Sequence, residues 1–166
     1  KLSERIPEIK LCLVGSGAEE EKLKNQAKAL GVCDRVIFTG QVSDPQNYVA
    51  ASDLYVSASR IEGLPFNIVE AMGEERTVLA SDIKGHVDII RDGRDGYIFP
   101  LGDIDALTEK VVKIHSGELS LNPREISARA MEFSFSEVFS DTLGCMRDFL
   151  CDANGKTDEK AKRQQQ

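Results

Sequence analysis

Short apolar runs broken by glycine alternate with stretches of helical spacing along most of this chain. Ile9 to Val14 is an apolar run that ends at Gly15-Ser16-Gly17, and Glu21 to Leu30 follows with helical periodicity and closes at Gly31. A short apolar run between turn residues predicts a buried strand, and a helical period ended by glycine predicts a helix. Val36-Ile37-Phe38 before Gly40 is the next strand, Pro45 to Ala51 a short helix, and Leu54-Tyr55-Val56-Ser57 a third strand. After a loop at Glu62 the pattern predicts a helix opened by Pro65. The strand Thr77-Val78-Leu79-Ala80, a helix around His86 to Ile90 and the strand Gly96-Tyr97-Ile98-Phe99 come next. Ile104 to Ile114, Ile126 to Met131 and an amphipathic stretch from Ser136 to Leu150 are the remaining helices.

Strands that alternate with helices at this spacing predict an α/β fold, a Rossmann-like parallel sheet with helices on both faces. In such a fold ligands collect at the carboxyl ends of the strands. From Asp152 onward, through Asn154, Gly155, Lys156 and the closing Gln164-Gln165-Gln166, nothing is available to bury, which predicts a disordered tail. The expected organisation is therefore one domain over residues 1–151 and a tail over 152–166. There is no internal repeat.

Composition narrows the function. With 41% apolar residues the 166-residue chain can build one core. A net charge of -7 and no dense Lys/Arg block outside the tail leave it without the electrostatic footprint of nucleic-acid binding. No apolar run approaches the roughly 20 residues of a membrane-spanning helix, and Lys1-Leu2-Ser3-Glu4-Arg5 is not a signal peptide. Cys12, Cys33, Cys145 and Cys151 lack metal-ligand spacing and are accompanied by two histidines only. Reduced thiols in a cytoplasmic protein, with no zinc and no disulfide, are the expectation.

The candidate chemistry lies between Glu62 and Glu70, in Glu62-Gly63-Leu64-Pro65-Phe66-Asn67-Ile68-Val69-Glu70. Pro65 opens the helix, because its missing N–H would be unpaired there in any case. That leaves Glu62 in the loop and Glu70 about one turn inside. Helical side chains lean toward their own N-terminus, so the Glu70 carboxylate tips back toward the free N–H groups of Leu64, Phe66 and Asn67. Amides that attract phosphate, with an acceptor carboxylate on each side, suit a ligand with a phosphate centre and hydroxyl-bearing ends. A nucleotide-sugar has that shape. The plainer reading of the two acids is a pair of surface carboxylates among 28 acidic residues.

An ordered set of short blocks decides between these readings. Val14-Gly15-Ser16-Gly17, Val36-Ile37-Phe38-Thr39-Gly40, Ala51-Ser52-Asp53, Ser57-Ala58-Ser59, Glu62-Gly63, Glu70-Ala71-Met72, Ala80-Ser81-Asp82 and Asp92-Gly93-Arg94-Asp95-Gly96-Tyr97 run in sequence along the chain. Together they resemble the nucleotide-binding C-terminal domain of GT-B retaining glycosyltransferases, family four, the group 1 glycosyl transferases, over about residues 8 to 150. The resemblance implies a hexosyltransferase that takes a nucleotide-diphosphate sugar as donor and an acceptor hydroxyl as its second substrate, in cell-surface polysaccharide or glycolipid synthesis. It implies that Glu62 contacts hydroxyls of the transferred sugar as the catalytic-site acid and that Glu70 holds the ribose diol. Leu64, Phe66 and Asn67 would offer backbone N–H groups to the diphosphate, while Gly63 would let the backbone come close and permit unusual dihedrals. Val42 and Asp44 would line the nucleobase. No cofactor and no metal are implied, and the expected partners are the nucleotide-sugar and an N-terminal acceptor-binding domain of the same polypeptide. Nucleic acid is not among them. Cytoplasmic location is expected, with any contact at the inner membrane face made through that other domain.

Two departures from the family pattern stand out. The Gly-Arg strand and Lys-Gly segment whose cations neutralise the diphosphate are not in this sequence, and Lys1 to Pro7 looks like the end of the helix that follows them. The chain alone is therefore expected to bind nucleotide weakly and not to transfer sugar. After Met72 the chain reads Gly73-Glu74-Glu75-Arg76-Thr77-Val78 where relatives carry Gly and a Lys-Pro-Val-like run, so Gly73 is expected to stop the helix early. The alternative function is a nucleotide- or sugar-phosphate-binding module of the same fold without catalysis. A GT-B epimerase is a further one, with different motifs. Gly15-Ser16-Gly17 is read as a structural turn, because Glu19, Glu20 and Glu21 would repel phosphate from the helix that follows. Arg60 is read as a surface charge, and His86 as a residue near a helix start.

Overall fold

The computed structural model describes residues 1–134 together with Ser136, Glu137 and Leu143. The rest of the predicted last helix from Ser136 to Leu150 lies outside the described residues, as does the tail. The chain opens with α1 (Leu2–Arg5), β1 (Leu11–Val14), α2 (Glu20–Ala29), a 3-10 turn at Cys33–Arg35 and β2 (Val36–Gly40). It continues with α3 (Pro45–Ala50), β3 (Leu54–Ser57), α4 (Phe66–Gly73), β4 (Thr77–Ser81), α5 (Lys84–Val87), β5 (Tyr97–Phe99), α6 (Ile104–His115) and α7 (Pro123–Met131).

Among the described residues every ladder between strands is parallel, as the alternation of elements requires, but the ladders are divided between two sheets where one was expected. β1 pairs with β2, Leu11 opposite Val36 and Leu13 opposite Phe38. β3, β4 and β5 form the other sheet in that order, Leu54 opposite Thr77 and Leu79 opposite Tyr97. Among the described residues no ladder joins β1 to β3, so each keeps one unpaired edge.

The core is built on both faces of β4. Val78 and Ala80 pack with Ile68, Ala71 and Met72 of α4 and with Ile126 and Ala130 of α7. Leu79, one residue out of phase, points to the other face and packs with Ile6, Tyr97, Phe99 and Val111. A strand covered on both faces needs no polar alternation, which is why this one reads as an apolar run. The β1–β2 sheet is barer. Leu11, Val14 and Ile37 are 50%, 41% and 46% exposed, and Ala27 is the one buried residue of α2.

Helix ends account for the remaining shifts from the sequence pattern. α7 begins at Pro123 rather than Ile126, because the Asn122 side chain accepts from Arg124 N–H at 3.1 Å and Pro123 occupies the first turn. α5 runs from Lys84 to Val87 rather than from His86 to Ile90, and Ile89 and Ile90 leave it for the core. Gly73 does not stop α4. Arg76 N–H donates to Ala71 O and Glu75 N–H to Met72 O, both at 3.0 Å, which is the Schellman closure, and the left-handed position it needs is filled by Glu75 at φ 59°. Gly73 is an ordinary helical residue two positions too early.

Candidate functional site

The connection from Ala58 to Pro65 leaves β3 at its carboxyl end and feeds α4, so the end of that helix opens where ligands of parallel sheets gather. Pro65 is the N-cap at φ -74°, one residue earlier than a first-turn proline, and no side chain caps the helix. Ile68 N–H turns back to Pro65 O at 3.0 Å. Among the described residues the N–H groups of Gly63, Leu64, Phe66 and Asn67 have no protein acceptor. An uncapped helix end leaves donors and the positive end of the helix dipole facing outward.

The two acids flank this end. Glu62 is half-buried and Glu70 exposed, and among the described residues neither carboxylate forms an ion pair or accepts a hydrogen bond from the protein. Both bear on one group, the Tyr55 hydroxyl of β3. Burial raises the Tyr55 phenol above its ordinary value, the hydrogen bond from Asn67 draws it down, and the charges of Glu70 and Glu62 push it up again. Asn67 Nδ2 donates to the Tyr55 hydroxyl at 2.9 Å, and Asn67 Oδ1 accepts from Ile68 N–H at 3.0 Å, which holds the first turn of α4 against β3.

Gly63 differs from the expectation in one respect. Its φ lies outside the left-handed region, and a Cβ there would meet nothing within 4 Å, so its backbone is open rather than unusually twisted. Close approach occurs at Gly85 instead. A Cβ on Gly85 would stand 2.7 Å from the Glu62 carbonyl oxygen and 2.9 Å from the Glu62 Cβ. Beside it His86, fully buried, contacts Ser57 and Ser81. Tyr55, Gly85 and His86 were not read as parts of the site from the sequence. The reading of His86 as a residue near a helix start is sufficient locally, and the approach of Gly85 to Glu62 is a contact between distant parts of the chain.

Val42 and Asp44 lie on the connection from β2 to α3, Val42 half-buried and Asp44 exposed at the N-cap of α3, where it accepts from the Ser43 hydroxyl at 2.7 Å. Among the described residues no hydrogen bond or ion pair joins them to the Glu62–Glu70 segment. Arg60 faces a separate cleft of about 240 Å3 beside the same loop, walled by Ala58, Phe99, Leu101, Ile104 and Leu107. The Gly15-Ser16-Gly17 segment is a turn: Gly15 N–H donates to Gly40 O at 3.0 Å, and Glu19, Glu20 and Glu21 pair with Lys22 and Lys24. His115 is exposed on α6 beside Glu8. Among the described residues no cluster of His, Cys, Asp or Glu has the grouping of a metal site. No helix among them is long and apolar enough to cross a membrane.

Comparison with known proteins gives the family. A phosphatidyl-myo-inositol mannosyltransferase of Mycobacterium leprae is 35% identical over 131 residues, 76% of this chain and 34% of its own. The apo structure of the lipopolysaccharide outer core galactosyltransferase WaaB superposes with a TM-score of 0.77 at 26% identity, over 84% of this chain and 40% of the other. Anabaena Alr3699/HepE, solved in complex with UDP and glucose, shares the fold at a TM-score of 0.75 and 22% identity, over 89% of this chain and 44% of the other. The chain spans about a third of the length of the curated relatives it matches. Residues 1–132 match the family described as glycosyl transferases group 1, and the chain belongs to that family of GT-B glycosyltransferases.

Proposed function

We propose that this chain is the donor-binding half of a retaining glycosyltransferase that moves a hexose from a nucleotide-diphosphate sugar to an acceptor hydroxyl, in the assembly of a cell-surface polysaccharide or glycolipid. The observation that carries the reading is the uncapped N-terminus of α4, whose leading amides have no protein acceptor among the described residues, with Glu62 in the loop before it and Glu70 on the helix itself. In this reading the free amides of Gly63, Leu64, Phe66 and Asn67 receive the diphosphate, Glu70 takes the ribose diol and Glu62 the hydroxyls of the sugar. Carboxylates accept hydrogen bonds from hydroxyls, and helix-end amides donate to phosphate oxygens, so each group meets the part of the ligand that complements it.

The same arrangement favours the departure of a diphosphate. A terminal phosphate with an ionisation near pH ~6 leaves with little need for a general acid, and donors aimed at its oxygens support the charge that develops on it. A glycoside hydrolase would instead set its two acids about the scissile bond as acid and nucleophile. Here a helix end stands between them. Val42 and Asp44 are assigned to the nucleobase on the family resemblance alone, and the acceptor to a further domain of the same polypeptide. No cofactor or metal is part of the proposal.

Amide-resolved NMR titration of the chain with UDP and with UDP-glucose tests it. Shifts centred on Gly63 to Asn67 are expected with both ligands. Glu70→Gln should weaken both and Glu62→Gln only the sugar conjugate. Absence of any shift in that segment at millimolar ligand would remove the donor assignment.

A further inference from the structure

A carboxylate on an eight-residue connection has no regular structure of its own to aim it, and the groups that hold the Glu62 loop come from α5. The His86 ring has no exposed surface and is hydrogen-bonded on both sides. Nδ1 lies 2.8 Å from the Ser81 carbonyl oxygen, which can only accept, so Nδ1 carries the proton. Nε2 is then the acceptor for the Ser57 hydroxyl at 3.2 Å. Ser81 Oγ, 3.2 Å from the same Nδ1, sends its own proton to Ser59 O at 2.7 Å. The donors run in one direction, Ser57 to His86 to Ser81 to Ser59. The end of β3, the end of β4 and the first turn of the loop are thereby tied together.

Gly85 completes the bracket. Its bare Cα faces the Glu62 main chain and Cβ so closely that a methyl group would overlap the carbonyl carbon and oxygen. The loop rests on α5 at the residue whose side chain is proposed to meet the sugar. A buried, fully partnered network of this kind holds one arrangement against others, since breaking any link strands a polar group away from water.

We infer that Gly85 and His86 are positioning residues for sugar recognition: the glycine seats the Glu62 backbone and the histidine locks the strand ends beneath it, so that the Glu62 carboxylate is aimed at the donor sugar. The inference rests on the donor reading above. It adds that discrimination between a nucleotide and its sugar conjugate is set from α5, on which none of the proposed ligand-binding residues lies.

The test compares dissociation constants of UDP and UDP-glucose for the parent chain, Gly85→Ala and His86→Asn. The asparagine amide keeps a donor near Nδ1 and loses the Nε2 acceptor. Both variants should raise the ratio of the UDP-glucose constant to the UDP constant by roughly tenfold. In a Glu62→Gln background, where the aimed group is already gone, Gly85→Ala should leave that ratio unchanged. A merely structural role would weaken the two ligands equally, and that outcome overturns the inference while leaving the donor reading intact. Failure of the parent chain to bind either ligand removes the donor reading and this inference with it. Should Gly85→Ala not fold, His86→Asn carries the same comparison, with the amide shifts of Ile61 to Gly63 reporting loop displacement without ligand.

Discussion

Asn67 on the first turn of α4 donates to the hydroxyl of Tyr55 on β3 at 2.9 Å, so the helix end that offers its amides is fixed to the sheet by a side chain of its own. Tyr55→Phe removes the acceptor and keeps the ring. A loss of about 1 kcal/mol is expected, the usual net worth of one such bond, read as a fall in the urea midpoint with unchanged slope.

The ionisation of Tyr55 reports the two acids without any ligand. Its phenol is raised above 10.0 by burial first, lowered by Asn67 and raised by Glu70 and Glu62. Glu70→Gln and Glu62→Gln should each lower it, Glu70 the more, as followed by the tyrosine Cζ resonance against pH. Unchanged titration in both variants would place the carboxylates elsewhere.

The same shift fixes a pH dependence of stability. The folded form holds the proton more tightly than the unfolded chain, so the contribution is complete below the unfolded value near 10.0 and is lost as pH climbs through the folded one. Tyr97, raised by burial and then by Asp92, acts in the same sense. Stability should therefore fall above about pH 10, and less steeply in Tyr55→Phe.

Glu75 occupies a left-handed position that glycine fills without strain, while Gly73 sits in a helix two residues before it with open space at its Cα. Glu75→Gly should stabilise the chain by ~1 kcal/mol and Gly73→Ala by ~0.5–1 kcal/mol. Thermal unfolding of the two variants and their combination measures both. Destabilisation by Glu75→Gly would mean that its side chain contributes more than the backbone costs.

Core substitutions should separate the two sheets. Leu79→Ala, at a fully buried position, is expected to cost ~2–5 kcal/mol, whereas Leu11→Ala at 50% exposure should stay within about 1 kcal/mol. Denaturant titration reads the contrast directly.

Much of this structure was legible because the signals were local. Thr77 to Ala80 read as a strand from its apolar run, and Glu62 and Glu70 read as a pair from a proline and a helical rise between them. What was not legible depends on contacts distant in sequence. Glycine is the usual left-handed residue, so the sequence points to Gly73 as the stop of α4, and nothing local marks Glu75 for that conformation. Ile89 and Ile90 continue the apolar pattern beyond α5, so the pattern points to a later helix than Lys84–Val87. The roles of Gly85 and His86 follow from their meeting Glu62 and Ser57 across some twenty to thirty residues of chain, which no spacing rule encodes.

Among the described residues the margins of β1 and β3 are open and present rows of main-chain donors and acceptors beside exposed Leu11, Val14 and Val56. Such margins are templates for any extended peptide of suitable pattern, including one from a neighbouring molecule. Solutions of this chain should therefore be concentration-sensitive, and a charged residue in place of Val56, on the rim of the better-packed sheet, is the first change to make when crystals or spectra require a monodisperse sample.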